Sequence, residues 1–147
     1  MKSVEYLKSK NVNFKILHLK GIPKTAKDVE QIYNCKLHQV LKTIIFIGDS
    51  EPVMAVLPGD KKVSTDKLKE ITKQNLRMAK PEEVREITGY NIGGVSPFGV
   101  AITKIIDESS FNSSPLNTGS GTPEIGLEFS PEELKKAWDG IIADIIE

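Results

Sequence analysis

Apolar residues recur along this chain with two different periods. Val4 and Leu7, with Val12 beyond them, have near-helical spacing and predict a short helix over residues 2–10 that ends around Asn11. Phe14 and Ile16 then open a strand. Ala26, Val29, Ile32 and Tyr33 share one helical face; Thr25 precedes them as an N-cap and Asp28 puts negative charge in the first turn, so a second helix runs to about Asn34. From Val40 to Ile47 the sequence is VLKTIIFI, and PVMAVLPGD follows the turn Gly48-Asp49-Ser50-Glu51. Two runs rich in β-branched residues around a turn predict an antiparallel hairpin with both strands buried.

Ser64 or Thr65 caps a helix bearing Leu68, Ile71 and Thr72, and Leu76 to Ala79 reads as a short strand. Pro81, with Glu82 and Glu83 behind it, starts a helix that stops at Gly89. A glycine-rich loop, a strand through Ile102 to Ile106, and a turn-rich stretch from Asn112 to Thr122 come next. Ile125 to Phe129 is a strand, and SPEELKKAW opens a last helix with Ser130 as N-cap, Pro131 at N1 and Glu133 at N3. Helices alternate irregularly with hairpin-like strands, which predicts an α+β fold, or a mixed sheet with helices packed outside, over a doubly wound parallel sheet.

Composition narrows the class. A chain of 147 residues with 39% apolar content has the length of one domain and can bury a core, so residues 1–147 read as a single domain. No run approaches the roughly 18 apolar residues of a membrane helix, and Lys2, Glu5, Lys8 and Lys10 break up the N-terminus where a signal peptide is apolar. The expectation is a cytoplasmic protein with no membrane partner. Cys35 is the single cysteine, and with His18 and His38 it matches no common zinc spacing, so no metal is expected. No paired base for Cys35 is visible, which leaves it a packing or surface residue. Net charge is zero, yet residues 1–80 hold 16 basic against 8 acidic residues and residues 81–147 hold 4 against 12. Such a split marks either a side that faces nucleic acid or ordinary solvated faces.

Three places break the local pattern. Lys42 interrupts an apolar strand, where a charge must reach the open face of the sheet, find a partner, or be used. GGVSPFG, Gly93 to Gly99, packs glycines, a serine and a proline between a helix and a strand; such a loop presents N–H groups to an anion or oxyanion, or is a plain turn. It is no nucleotide-binding fingerprint. Asn117-Thr118-Gly119-Ser120-Gly121-Thr122 places short polar groups before a strand and also suits a hairpin turn.

Taken together, VLKTIIF with Lys42 and Thr43, TGYNIGGVSPFG from Thr88 to Gly99, KIIDESSF with Asp107, and NTGSG before IGLEFSPEEL resemble the YbaK family of aminoacyl-tRNA deacylases in order and spacing. That family includes the editing domain inserted in bacterial prolyl-tRNA synthetases. The similarity runs over nearly the whole chain, and the pairing of the Lys-Thr strand motif with the GxxxP loop is its most specific feature. The resemblance implies a compact mixed α/β fold around a curved mixed, mainly antiparallel sheet with helices packed outside, with no metal and no organic cofactor. It implies Lys42 as the catalytic residue and a substrate site built from Thr25, Gly93, Gly94, Val95, Ser96, Pro97, Phe98, Gly119 and Ser120. It also implies hydrolysis without a protein nucleophile, the attacking group being water, the ribose hydroxyl or the substrate side chain. Lys42 then acts as a fixed cation on the carbonyl oxygen or on a phosphate of the terminal adenosine. Some members carry an aspartate where this chain has Gly126, and some place a serine one residue before Ser120. The amino acid removed is left as alanine, cysteine, serine or another small residue.

The resulting expectation is a free-standing trans-editing hydrolase that acts on mischarged aminoacyl-tRNA, with tRNA for proline as one carrier and prolyl-tRNA synthetase as a second candidate partner. The alternative is a non-catalytic module that binds tRNA or a synthetase through the same pocket. A third reading, a nucleotide or oligonucleotide binder, rests on the basic first half alone.

Overall fold

The computed structural model describes residues 1–91 and 94–147. The chain opens on helix α1 (Lys2–Ser9) and continues into strand β1 (Lys15–His18). Helix α2 (Ala26–Tyr33) is set by a capping box: the Thr25 hydroxyl accepts from the Asp28 amide at 3.1 Å, and the Asp28 carboxylate accepts from the Thr25 amide at 3.2 Å. Asn34 ends it in the left-handed conformation. The hairpin is present as β2 (Leu41–Gly48) and β3 (Pro52–Pro58), with Leu41 opposite Pro58 and Ile47 opposite Pro52. Only β3 is buried throughout its interior, because it lies at the centre of the sheet; β2 is half-buried from Lys42 to Ile44.

Ser64 caps α3 (Thr65–Thr72), β4 is the short strand Leu76–Met78, and Pro81 begins α4 (Pro81–Thr88), which Gly89 closes at φ +77°. After the glycine-rich loop come β5 (Thr103–Asp107), β6 (Leu116–Gly119), β7 (Ile125–Phe129), α5 (Pro131–Ala137) and β8 (Ile141–Ala143). The strands divide between two sheets. One has the order β1-β7-β6 and is antiparallel; the other has the order β4-β2-β3-β5-β8, antiparallel at β4-β2-β3 and parallel at β3-β5-β8.

Two elements differ from the sequence reading. The stretch read as turn-rich contains β6, whose LNTG offers one large apolar residue; its strand form comes from pairing along β7, from Leu116 opposite Phe129 to Gly119 opposite Gly126. β8 was not anticipated beyond the last helix, and it forms by adding to β5. The core has two parts. Leu41, Ile45, Met54, Val56 and Ile106 face one cluster with Leu7, Phe98 and Leu127, while Phe46, Val53, Ala55 and Ile105 face another with Leu68 and Ile145. Asp107 is buried at the end of β5, where its carboxylate accepts from the amides of Ser109 at 3.0 Å and Ile145 at 2.9 Å.

Candidate functional site

The short length of β4 creates the site. It pairs only with Phe46, Ile47 and Gly48 of β2, and the Ala79 amide extends the ladder by one bond, 2.9 Å to the Ile45 carbonyl. The edge of β2 at Lys42–Ile44 is then without a partner strand among the described residues. Ile45 turns its backbone polar groups to this edge, so strand alternation turns those of Thr43 the same way, while Lys42 and Ile44 bond toward β3. A cavity of about 480 Å³ lies along this edge. β2 contributes Leu41 to Ile45 with Val40 before it, α2 contributes Val29 and Tyr33 with Pro23 before it, and Met78 of β4, Ala79 just after it and Val84 of α4 lie across from them. Val95 of the glycine-rich loop and Gly119 of β6 complete it. The lining is mostly apolar; its side-chain hydroxyls are those of Thr43 and Tyr33, and Lys42 is its cation.

Lys42 is half-buried and makes no ion pair or hydrogen bond among the described residues. Burial lowers its pKa below the ordinary 10.5; Lys62 pushes the same way and Asp60 opposes. A partly desolvated ammonium without a partner is a strong attractor for an anion that enters the cavity.

The glycine-rich loop is fixed mainly by groups that point away from the cavity. Phe98 is buried, stacked on Tyr6 at 6.0 Å and edge-on to Phe129 at 5.7 Å, and its carbonyl accepts from the Tyr90 hydroxyl at 2.9 Å. Ser96 is fully buried and its hydroxyl accepts from the Phe98 amide at 3.3 Å. Ser96, Pro97 and Phe98 therefore anchor the loop, and Val95 is its cavity-lining residue. The Gly94 amide donates to Asn91 at 3.0 Å, which leaves the amides of Val95 and Ser96 uncommitted among the described residues. A Cβ on Gly94 would meet nothing nearer than 3.5 Å, so neither space nor backbone conformation demands glycine there. Gly93 lies outside the described residues.

Gly119 is more constrained. A Cβ there would stand 2.8 Å from the Val95 carbonyl oxygen, so the loop presses directly on β6. Ser120 is fully buried, and its hydroxyl donates to the Ile125 carbonyl at 2.7 Å and accepts from the Thr122 amide at 3.1 Å, closing the β6–β7 turn. Thr25 is exposed and acts as the cap that holds α2. The fold thus brings Lys42, Val95 and Gly119 to one cavity and gives Thr25, Ser96, Pro97, Phe98 and Ser120 supporting positions around it.

Val29, Tyr33 and Met78 line the cavity and were not singled out as site residues by the sequence reading, which had Thr43 in the Lys-Thr strand motif but gave it no role. Val29 and Tyr33 stand four residues apart on the apolar face of α2, a spacing that reads equally well as core packing. Met78 is 61% exposed, an apolar side chain at a rim. Cys35 belongs to a separate recess; burial raises its pKa, Glu128 and Glu30 add to this, and Asn117 opposes, so it is held as the thiol. Among the described residues no three His, Cys, Asp or Glu side chains gather as a metal site would require.

Comparison with known proteins gives this cavity a family. The crystal structure of a protein described as a candidate trans-editing enzyme for prolyl tRNA synthetase superposes with a TM-score of 0.89 at 28% identity, covering 99% of this chain and 95% of that one. A second crystal structure, of a hypothetical protein, matches with a TM-score of 0.91 at 28% identity over the full length of both. The proline–tRNA ligase of Oleidesulfovibrio alaskensis is 31% identical over 86 residues, 58% of this chain, and the chain spans only 15% of that ligase. The uncharacterized protein YwhH of Bacillus subtilis is 28% identical over 128 residues, 82% of each chain. The sequence model of the aminoacyl-tRNA editing domain matches residues 23–137, a span that runs from Pro23 at the cavity to the end of α5 and takes in Lys42, the glycine-rich loop and Gly119. The chain belongs to the aminoacyl-tRNA editing domain family.

Proposed function

We propose that this protein hydrolyses the ester of mischarged aminoacyl-tRNA in trans, removing a small amino acid such as alanine or cysteine from a tRNA that includes tRNA for proline. The observation that carries the reading is the apolar cavity on the open edge of β2, with Lys42 as its cation, without an ion pair among the described residues. An aminoacyl ester has a small side chain to be sorted, a carbonyl that becomes an oxyanion, and a phosphate-bearing adenosine that stays outside. Val29, Val95 and Tyr33 supply an apolar seat for the side chain. The Thr43 amide on the open edge, with the amides of Val95 and Ser96, is a donor for the carbonyl oxygen as it gains charge. Water adds to that carbonyl and the ribose hydroxyl leaves, so a free amino acid and an uncharged tRNA result. The lining holds no serine, cysteine or histidine among the described residues, which favours catalysis by placement and oxyanion stabilisation over a covalent intermediate.

Likeness to a candidate trans-editing protein of nearly the same extent supports action in trans. Aminoacyl-tRNA is the partner this reading requires, in the cytoplasm where charged tRNA circulates, and prolyl-tRNA synthetase is a second candidate partner, a proposal that the same likeness supports.

The test is a panel of one tRNA for proline charged separately with proline, alanine, cysteine and serine, incubated with purified protein. Release of alanine or cysteine well above the spontaneous rate, with prolyl-tRNA spared, is expected. Tight tRNA binding with no release from any member of the panel identifies a binding module instead.

A further inference from the structure

Tyr33 stands between two hollows. It lines the apolar cavity beside Val29 and Lys42, and it also lines a neighbouring recess of about 660 Å³ whose other residues include Glu30, Cys35, Lys36 and Glu128. What fixes the ring is a glycine. A Cβ on Gly126 would stand 2.7 Å from Tyr33 Cε1 and 3.1 Å from its hydroxyl oxygen, so the ring occupies the space that any side chain on Gly126 needs. Gly126 lies opposite Gly119 in the β6–β7 ladder, and paired residues of antiparallel strands show their side chains on one face. These two glycines make a bare strip, with the Tyr33 ring on one and the Val95 carbonyl on the other. Burial pushes the Tyr33 hydroxyl up to about 12, so the ring stays neutral throughout the working range.

We propose that Tyr33 is a specificity-determining residue: seated on Gly126, its ring closes the apolar cavity against the neighbouring polar recess and limits the aminoacyl side chain to small apolar groups. The inference rests on the deacylase reading for the identity of the ligand, and on cavity geometry for the role of the ring. Replacing Tyr33 by a small residue joins the two hollows, so larger side chains gain room. One methylene more or less in an apolar pocket typically changes discrimination by about 10- to 200-fold, and the lost ring exceeds that volume.

Alanyl- and leucyl-tRNA made on one tRNA body supply the test, with amide-linked analogues of alanyl- and leucyl-adenosine for binding. Wild-type protein is expected to prefer alanine by at least about 100-fold, and Tyr33→Ala or Tyr33→Leu to reduce that ratio at least about tenfold by gaining on leucine, while Tyr33→Phe retains it. A ratio unchanged in the two small variants, or no preference in the wild type, overturns the proposal and leaves the deacylase reading standing. If nothing is hydrolysed but the analogues bind with a preference that Tyr33→Leu relaxes, the partition stands and the hydrolase reading falls. If neither analogue binds, both fall. Thermal denaturation supplies a readout apart from activity: Gly126→Ala should lower Tm in the wild type and lower it much less in the Tyr33→Ala background. Equal losses in the two backgrounds would show that the ring is not seated on Gly126.

Discussion

Lys42 shows how a single residue carries information that its neighbours do not. An ammonium in the run VLKTIIFI costs desolvation and gains no ion pair among the described residues, so packing alone does not account for it. Its chemistry is testable through pH. In the proposed mechanism the cation is the working form, and burial lowers its pKa from the ordinary 10.5, so enzymatic turnover should be full below the lowered value and fall as pH rises through it. Measured as the pH–rate profile after subtraction of spontaneous ester hydrolysis, that falling limb should move to higher pH in Lys42→Arg. In Lys42→Ala the limb should vanish and the rate below it drop by about 100- to 1,000-fold, the usual cost of losing one stabilising group. A wild-type rate in Lys42→Ala removes the lysine from the mechanism.

At the scale of strands and loops, the decisive contact is between β6 and the glycine-rich loop. Gly119 lies under the Val95 carbonyl with no room for a methyl group, whereas Gly94 has room. Gly119→Ala must therefore shift backbone against backbone, at a cost of about 1–3 kcal/mol in stability and with displacement of Val95 from the cavity. Gly94→Ala should leave Tm nearly unchanged and turnover within about threefold, since Gly94 does not line the cavity. Denaturation and turnover measured on both variants check this. Equal damage from the two would mean that the loop is seated elsewhere. The helices, by contrast, announce themselves locally: Thr25, Ser64 and Ser130 each accept from an amide three residues on, as their types and positions suggest.

Over the molecule as a whole, the charge split of the sequence does not become two separate halves. β1 pairs with β7 and β3 with β5, and Lys67 meets Asp144 at 2.8 Å, so basic and acidic segments interleave. The proposed tRNA partner would meet exposed lysines next to the cavity lining. Lys24 and Lys80 are exposed and adjoin the lining residues Pro23 and Ala79. Affinity for tRNA should fall linearly with salt on logarithmic axes, and Lys24→Ala or Lys80→Ala should each make the slope shallower by about one if that lysine meets a phosphate. Titration between low and physiological salt measures it; a flat response would point to recognition through the aminoacyl end alone.

Helix starts, the β2–β3 hairpin, the mixed α+β class and the family resemblance were all present in the sequence, because caps, proline at N1 and apolar periodicity act over three or four residues. The strand nature of β6 and β8 was not, since LNTG and IIA become strands only through bonds to β7 and β5. The same limit applies to the site. Lys42 stood out because a charge in an apolar run is a local anomaly, and Gly119 was drawn in by its motif. Tyr33 and Val29 did not stand out, because an apolar helical face is the same pattern whether it meets a core or a cavity. Which of the two it meets was decided by the three-residue length of β4, which leaves the edge of β2 open, and by Gly126, which gives the Tyr33 ring its place. Both are relations between segments far apart in the chain, and only the folded molecule brings them together.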